Sequence, residues 1–223
     1  MRIQCIVFDC DGVLVNSEEL AAKAELEILH SLGLGITRYQ YNEIFLGLSD
    51  RDHFMQIKEL LESKLGIDAP SDLEKILHRA RWSQYRKNLT SIPGAIEFLG
   101  SFTGELALVS SSSRNSIAEK LQLAKLDHFF GAKIISSDDV RSTKPSPEPY
   151  ESIKSKITTP VENCLVVEDS ENGVRSAVGA GFRTWGFLAD DHGGKYSSRL
   201  SLVGAEKVVL GYEELSYCVS TKL

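Results

Sequence analysis

Nowhere in this 223-residue sequence do apolar residues run for the roughly 20 positions that a membrane-spanning helix needs. The first residues, MRIQCIVFDCDG, meet acid before a signal-peptide core could form, so a cytoplasmic protein is expected. Basic clusters are scarce as well. Beyond the short pieces HRARW and YRKN there is no concentration of Lys or Arg, and the formal net charge is −6. That balance argues against a nucleic-acid surface and a polybasic membrane anchor, while leaving room for a local positive site that takes a small anion. The four cysteines Cys5, Cys10, Cys164 and Cys218 lack metal-knuckle spacing and read as buried thiols. Repeats and low-complexity segments are absent. What remains, 42% apolar and 25% charged residues, excludes a disordered or fibrous chain. The length suits a core domain carrying a smaller one.

Six short apolar runs, CIVF, LALV, KII, CLVV, TWGF and KVVL, look like strands buried on both faces. Amphipathic patterns follow several of them, such as Ile117, Leu121 and Ala124 after LALVSSSS, and Val174, Ala177 and Val178 after CLVVED. The alternation predicts an α/β fold, a parallel sheet with helices on both faces. One interval breaks the rhythm. From Asn16 to Asn88 the periodicity is helical, with Phe54, Ile57, Leu61 and Leu65 on one face and Leu73, Ile76, Leu77 and Ala80 on another. Asn16 with Glu19 and Ser71 with Glu74 have capping-box spacing, and Gly33, Gly35 and Gly66 suit helix ends. An all-α cap over residues 16–88, inserted into a core of residues 1–15 and 89–223, is the economical reading. Trp82 and Tyr85 are expected to pack within that cap.

Ligands of open α/β sheets bind where the carboxyl ends of the strands meet loops and helix amino termini. The strand ends here supply Asp9 and Asp11, then Ser110 to Ser113, then Lys144 in TKPSPEPY, then Glu168 and Asp169. Gathering Asp9, Asp11, Glu168 and Asp169 in one pocket costs several kcal/mol unless a cation balances them. Oxygen-only donors select a hard ion, and few carboxylates beside a substrate phosphate are the Mg²⁺ pattern. Lys144 adds positive charge, and serine hydroxyls with backbone N–H groups at a strand-to-helix turn cradle an anion. A strand-end Asp9 can attack phosphorus in line. Asp11, two positions on and past a turn allowed by Gly12, can protonate the leaving oxygen and later deprotonate water. For those roles Asp9 must stay ionised and Asp11 must be able to hold a proton.

In order, FDCDGVLV, LVSSSS, TKPSPEPY and VVEDSENGVRSAVGAG resemble the four motifs of the haloacid dehalogenase superfamily. More narrowly the chain is similar to its phosphatases with a helical cap inserted after the first motif, a group that includes phosphoglycolate phosphatases, β-phosphoglucomutases and bacterial sugar-phosphate phosphatases. The resemblance implies Asp9 as nucleophile, Asp11 as acid/base, Ser110 as phosphate-binding hydroxyl with Ser111 as its rival, and Lys144 as the neutralising ammonium. It implies Mg²⁺ held by Asp9, Asp169 and the Asp11 backbone carbonyl, with Glu168 alongside. The cap loop FLGLSDRDHF matches one that touches substrate in relatives, making Gly47, Asp50, Arg51 and His53 candidates for specificity. Many relatives have Asp-Ser-Glu where this chain has Asn16-Ser17-Glu18, and mutase-like relatives carry a histidine early in the first cap helix where this chain reads EELAAKAE.

The expected activity is Mg²⁺-dependent hydrolysis of a small phosphorylated metabolite, a sugar phosphate or phosphorylated sugar acid, by a monomer or weak homodimer. The alternatives are a phosphomutase and a catalytically silent phosphometabolite-binding protein. A dehalogenase is disfavoured, because those relatives lack an acid/base aspartate at the second position. The histidines His30, His78, His128 and His192 show no ligand spacing, and LADDHGGKY reads as a surface loop.

Overall fold

All six apolar runs form strands: β1 (Cys5–Phe8), β2 (Glu105–Val109), β3 (Ile134–Ile135), β4 (Cys164–Glu168), β5 (Arg183–Leu188) and β6 (Lys207–Leu210). They make one sheet in the order β3-β2-β1-β4-β5-β6, with every neighbouring pair parallel. The computed structural model describes residues 2–45, 48, 50–189 and 195–220. The central strands β1 and β4 are buried throughout and apolar up to Glu168, the last residue of β4, because both faces are covered. In β1, Ile6 and Phe8 enter one hydrophobic cluster with Leu165 and Val167 of β4, whereas Cys5 and Val7 enter the opposite one with Cys164 and Val166. All four cysteines are buried free thiols.

Among the described residues, ten α-helices accompany the sheet: α1 (Ser17–Ser31), α2 (Arg38–Phe45), α3 (Asp50–Leu65), α4 (Leu73–Asn88), α5 (Ala95–Ser101), α6 (Arg114–Leu123), α7 (Glu148–Ile153), α8 (Glu171–Gly179), α9 (Lys195–Leu202) and α10 (Gly211–Ser220). Among the described residues, no helix is long and apolar enough to cross a membrane. The chain runs outward from β1 through β2 to β3, then returns to place β4 on the other side of β1. The connections therefore diverge at the carboxyl ends of β1 and β4, which opens a crevice there.

Helices α1 to α4 lie between β1 and β2 in the chain and bury an apolar cluster of their own, including Ala22, Leu29, Tyr41, Phe45, Ile57, Leu61, Leu73 and Leu77. The incoming and outgoing segments run side by side. Val15 bridges Ser91 in antiparallel fashion, and the Ile92 N–H donates to the Leu14 carbonyl at 2.9 Å. Several local expectations differ from what forms. Asn16 precedes α1 without capping it, because its side chain accepts from the Thr90 N–H at 2.9 Å. Asp72 rather than Ser71 sits at the N-cap of α4, again without a side-chain cap. Gly33 (φ +91°) and Gly66 (φ +64°) follow helix ends in the left-handed region, whereas Gly35 does not adopt it. Leu65 and Ile76 are exposed. Trp82 and Tyr85 belong to the sheet's main cluster instead of the α1–α4 cluster, since the last turns of α4 reach down onto the sheet layer.

Candidate active site

Asp9 is the first residue beyond β1, and its N–H still donates to the Val167 carbonyl of β4 at 3.0 Å. That bond fixes the Asp9 backbone in the crevice between the two strands. The chain then turns back tightly, with the Gly12 N–H on the Val15 carbonyl at 2.9 Å and the Leu14 N–H on the Cys10 carbonyl at 2.9 Å. Gly12 has φ +76°, and a Cβ there would fall 1.9 Å from Asp169 Oδ2. Only glycine permits both the turn and the approach of the β4 acid.

Lys144 brings these segments together. Its three N–H bonds have three acceptors: Asp9 Oδ1, Glu168 Oε1 at 2.5 Å and the Val109 carbonyl at 2.9 Å. Tyr150 donates its hydroxyl to the same Glu168 oxygen at 2.7 Å, and Ser170 donates to the other at 3.4 Å. Glu168 is wholly buried, whereas Asp9 and Lys144 are 7% and 5% exposed. Burial depresses the Lys144 ammonium's affinity for its proton, but the Asp9 and Glu168 carboxylates more than reverse this and raise its pKa.

Ligand atoms of Asp9, Glu168 and Asp169 lie within 4.8 Å of one another. Among the described residues, Lys144 sets its ammonium against two of these carboxylates, Asp9 and Glu168. Burial, reinforced by Glu168 and Asp11, pushes Asp9 up to about 7 despite Lys144. Burial and Glu18 raise Asp169 well above the carboxylate range. Glu18, hydrogen-bonded to Asp169, is pushed up to about 8 by burial and by Asp11 and Asp9. An oxygen-only donor set with this surplus of negative charge fits a hard divalent cation, which would return Asp9 and Asp169 to their ionised forms.

Asp11 meets a different environment from the one expected. Its Oδ1 accepts from Ser17 and from Lys120 Nζ at 2.5 Å, and its Oδ2 accepts from Ser112 at 3.1 Å. Burial raises the Asp11 pKa, but the Lys120 ammonium and these hydrogen bonds outweigh it, so the carboxyl sits below its ordinary value. Lys120, which lowers the Asp11 pKa here, lies outside the four motifs. The serines divide their work. Ser110, Ser111 and Ser112 line the pocket, Ser110 Oγ accepts from the Ser112 N–H at 3.1 Å, and Ser113 caps α6 by accepting from the Ser116 N–H at 3.3 Å.

On the α1–α4 side, Tyr41, Asn42, Phe45, Leu48, His53 and Arg81 line the same pocket. Arg51 is exposed and does not line the pocket as described, because the first turn of α3 directs His53 inward instead. Gly47, the Asp50 side chain and His192 lie outside the described residues. His53 joins a network that single-residue motifs do not reveal. Wholly buried Glu25 receives Tyr41 Oη and His53 Nε2, each at 2.6 Å, on Oε2, and Arg81 Nε on Oε1. Burial raises the Glu25 pKa, but the His53 hydrogen bond and the Arg81 charge outweigh it and hold it at about 2, against an ordinary 4.5. This carboxylate therefore stabilises the fold above pH 4.5, by about 3 kcal/mol, and the contribution is lost as pH falls toward 2. Urea unfolding between pH 6 and pH 2.5 is expected to show a stability gap between wild type and Glu25→Gln that narrows as acid is added.

A family model described as haloacid dehalogenase-like hydrolase matches residues 6–187. The chain is 27% identical over 192 residues to 6-phosphogluconate phosphatase of Escherichia coli (strain K12), covering 86% of this chain and 85% of that one. It is 28% identical over 214 residues to the phosphorylated carbohydrates phosphatase of Thermotoga maritima, covering 93% and 97% respectively. The crystal structure of a HAD family hydrolase from Deinococcus radiodurans R1 with bound phosphate and sodium superimposes with a TM-score of 0.84 at 27% identity, covering 99% of this chain and 96% of that one.

Proposed function

The chain belongs to the haloacid dehalogenase-like hydrolase family, and from that premise we propose that it is a Mg²⁺-dependent phosphatase of small phosphorylated carbohydrates, working through a phosphorylated Asp9. The observation that carries this reading is the Asp9 carboxylate, held at the β1/β4 crevice by Lys144 and grouped with Glu168 and Asp169. The names of the two relatives, one a 6-phosphogluconate phosphatase and one a phosphatase of phosphorylated carbohydrates, support a sugar phosphate or phosphorylated sugar acid as substrate. Asp9, Asp169 and the Asp11 carbonyl would hold Mg²⁺, with Glu168 alongside, and the ion would neutralise charge on nucleophile and phosphoryl group.

An Asp9 oxygen attacks phosphorus as the bond from phosphorus to the substrate's bridging oxygen breaks, and a proton from Asp11 passes to that oxygen to release the alcohol. Asp11, now a carboxylate, takes a proton from water. The water oxygen bonds to phosphorus as the bond between phosphorus and the Asp9 oxygen breaks, which frees the Asp9 carboxylate and releases inorganic phosphate. Lys144 neutralises Asp9 and the incoming phosphate throughout, while Ser110 and Ser111 offer donors to the phosphate oxygens. Helices α1 to α4 act as a cap that keeps bulk water from the phosphorylated Asp9. Among the described residues, two ion pairs link α1–α4 to the rest of the chain, Arg86 to Glu119 at 3.0 Å and Arg199 to Glu43 at 2.5 Å.

Phosphate release from a panel of sugar phosphates and phosphorylated sugar acids tests the reading. Turnover with Mg²⁺ is expected to exceed turnover in chelator by about 10³-fold. Binding without turnover across the panel would leave a sensing protein. Conversion of a hexose 1-phosphate to its 6-phosphate would assign a mutase.

A further inference from the structure

The pocket holds a second buried lysine. Lys120 lies one turn along α6 from Ile117 and beside Leu121, both core residues, and is itself 5% exposed. A lysine at such a position is costly to bury unless its charge is matched. Its Nζ reaches Asp11 Oδ1 at 2.5 Å and Ser112 Oγ at 2.9 Å, and the Ser112 hydroxyl closes the triangle by donating to Asp11 Oδ2 at 3.1 Å. The Tyr85 ring of α4 stands 5.9 Å from the ammonium. Ser17, at the start of α1, completes the set on Oδ1.

From this geometry we infer that Lys120 is a positioning residue for Asp11: it anchors Oδ1 and fixes the plane of the carboxyl group, leaving Oδ2 as the oxygen that exchanges a proton with the substrate's bridging oxygen. The inference rests on the phosphatase reading of the same site. Oδ1 is saturated by an ammonium and a hydroxyl, whereas Oδ2 has one hydroxyl partner that can rotate away. In the transfer step the proton leaves Oδ2 as the phosphorus–oxygen bond breaks. The resulting carboxylate stays in place because Lys120 and Ser17 already hold its other oxygen. Ser17 and Tyr85 come from the α1–α4 segment and Lys120 and Ser112 from the sheet layer, so the orientation of Asp11 depends on both sides of the pocket.

The leaving-group dependence of kcat/KM, which reports the transfer step, tests this. An aryl ester such as p-nitrophenyl phosphate departs without a proton, whereas a sugar phosphate needs one. In Lys120→Met the loss on the sugar phosphate that wild type turns over best should exceed the loss on p-nitrophenyl phosphate by about tenfold or more. Asp11→Asn should show the same selectivity, and the double variant should lose little beyond Asp11→Asn alone. Equal losses on both esters would overturn the inference and leave Lys120 a packing residue, as would undiminished sugar-phosphate turnover. Should Lys120→Met fail to fold, Lys120→Arg keeps the charge while displacing it and is read by the same ratio. Wild-type phosphate release that persists in Asp9→Asn would instead sink the phosphatase reading itself, so the two failures are distinct.

Discussion

Asp9→Asn is expected to lower phosphate release by about 10⁴-fold or more while the protein stays folded. The amide matches the carboxylate in shape, so the turn at Gly12 and the Asp9 N–H bond to β4 are untouched. What is lost is the nucleophile we propose. Stability should hold or rise, because burial already drives Asp9 up to about 7 and a neutral side chain relieves the repulsion from Glu168 and Asp11. Lys144 retains Glu168 and the Val109 carbonyl as acceptors. The measurement pairs steady-state phosphate release with thermal unfolding. A variant that turns over like wild type would remove Asp9 from the mechanism.

Lys144→Met is expected to damage fold and activity together. Methionine fills the channel but leaves Glu168 wholly buried with only the Tyr150 and Ser170 hydroxyls, and leaves Asp9 without its cation. Removing one partner of a buried ion pair costs about 3–5 kcal/mol, a large share of the 5–15 kcal/mol typical of a domain. Urea unfolding should show that loss. Adding Glu168→Gln should recover part of it by removing the stranded charge. Lys58→Met is the control: its pair with Glu62 is an exposed contact at 3.8 Å, and its loss should change stability by less than about 0.5 kcal/mol. Equal effects at Lys144 and Lys58 would contradict the buried network described here.

The two results separate charge surplus from charge balance. Deleting a carboxylate from this pocket relieves repulsion, whereas deleting an ammonium exposes it. Activity falls in both, but the stability changes differ in sign or nearly so.

Much of the sheet was legible in the sequence because strands covered on both faces are nearly all apolar, and runs such as CIVF, LALV and CLVV are hard to mistake, whereas β6 at the sheet edge is mostly exposed or half-buried. Three of the strand-end segments were legible for a related reason, since polar residues directly after a buried strand have few other uses, whereas Lys144 follows β3 only after a further 3-10 turn over Ser137–Asp139. Lys120 was not. In IAEKLQL a lysine beside two apolar positions reads as a solvated helix face, and only the folded chain shows Nζ turned toward Asp11. The environment of Asp11 is hidden with it, because its partners Ser112 and Lys120 lie more than a hundred residues away in sequence. Glu25 was equally silent, one acid in AAKAELEILH whose partners come from α2, α3 and α4. Trp82 and Tyr85 share a helix with Leu73 and Leu77 of the α1–α4 cluster, and periodicity alone does not reveal that α4 serves two clusters. Asn16 had the right type and spacing for a cap, yet a backbone N–H from Thr90 competes for its oxygen.

The pairing of Val15 with Ser91 has a consequence for the ancestry of such chains. Since the helical segment departs and returns through neighbouring backbone, recombination at those two points could exchange it for a different one without disturbing the strand order or the acids at the strand ends. The exchanged part would still have to bring a hydroxyl like that of Ser17 to Asp11 and a ring like that of Tyr85 to Lys120, which ties it to the scaffold's chemistry.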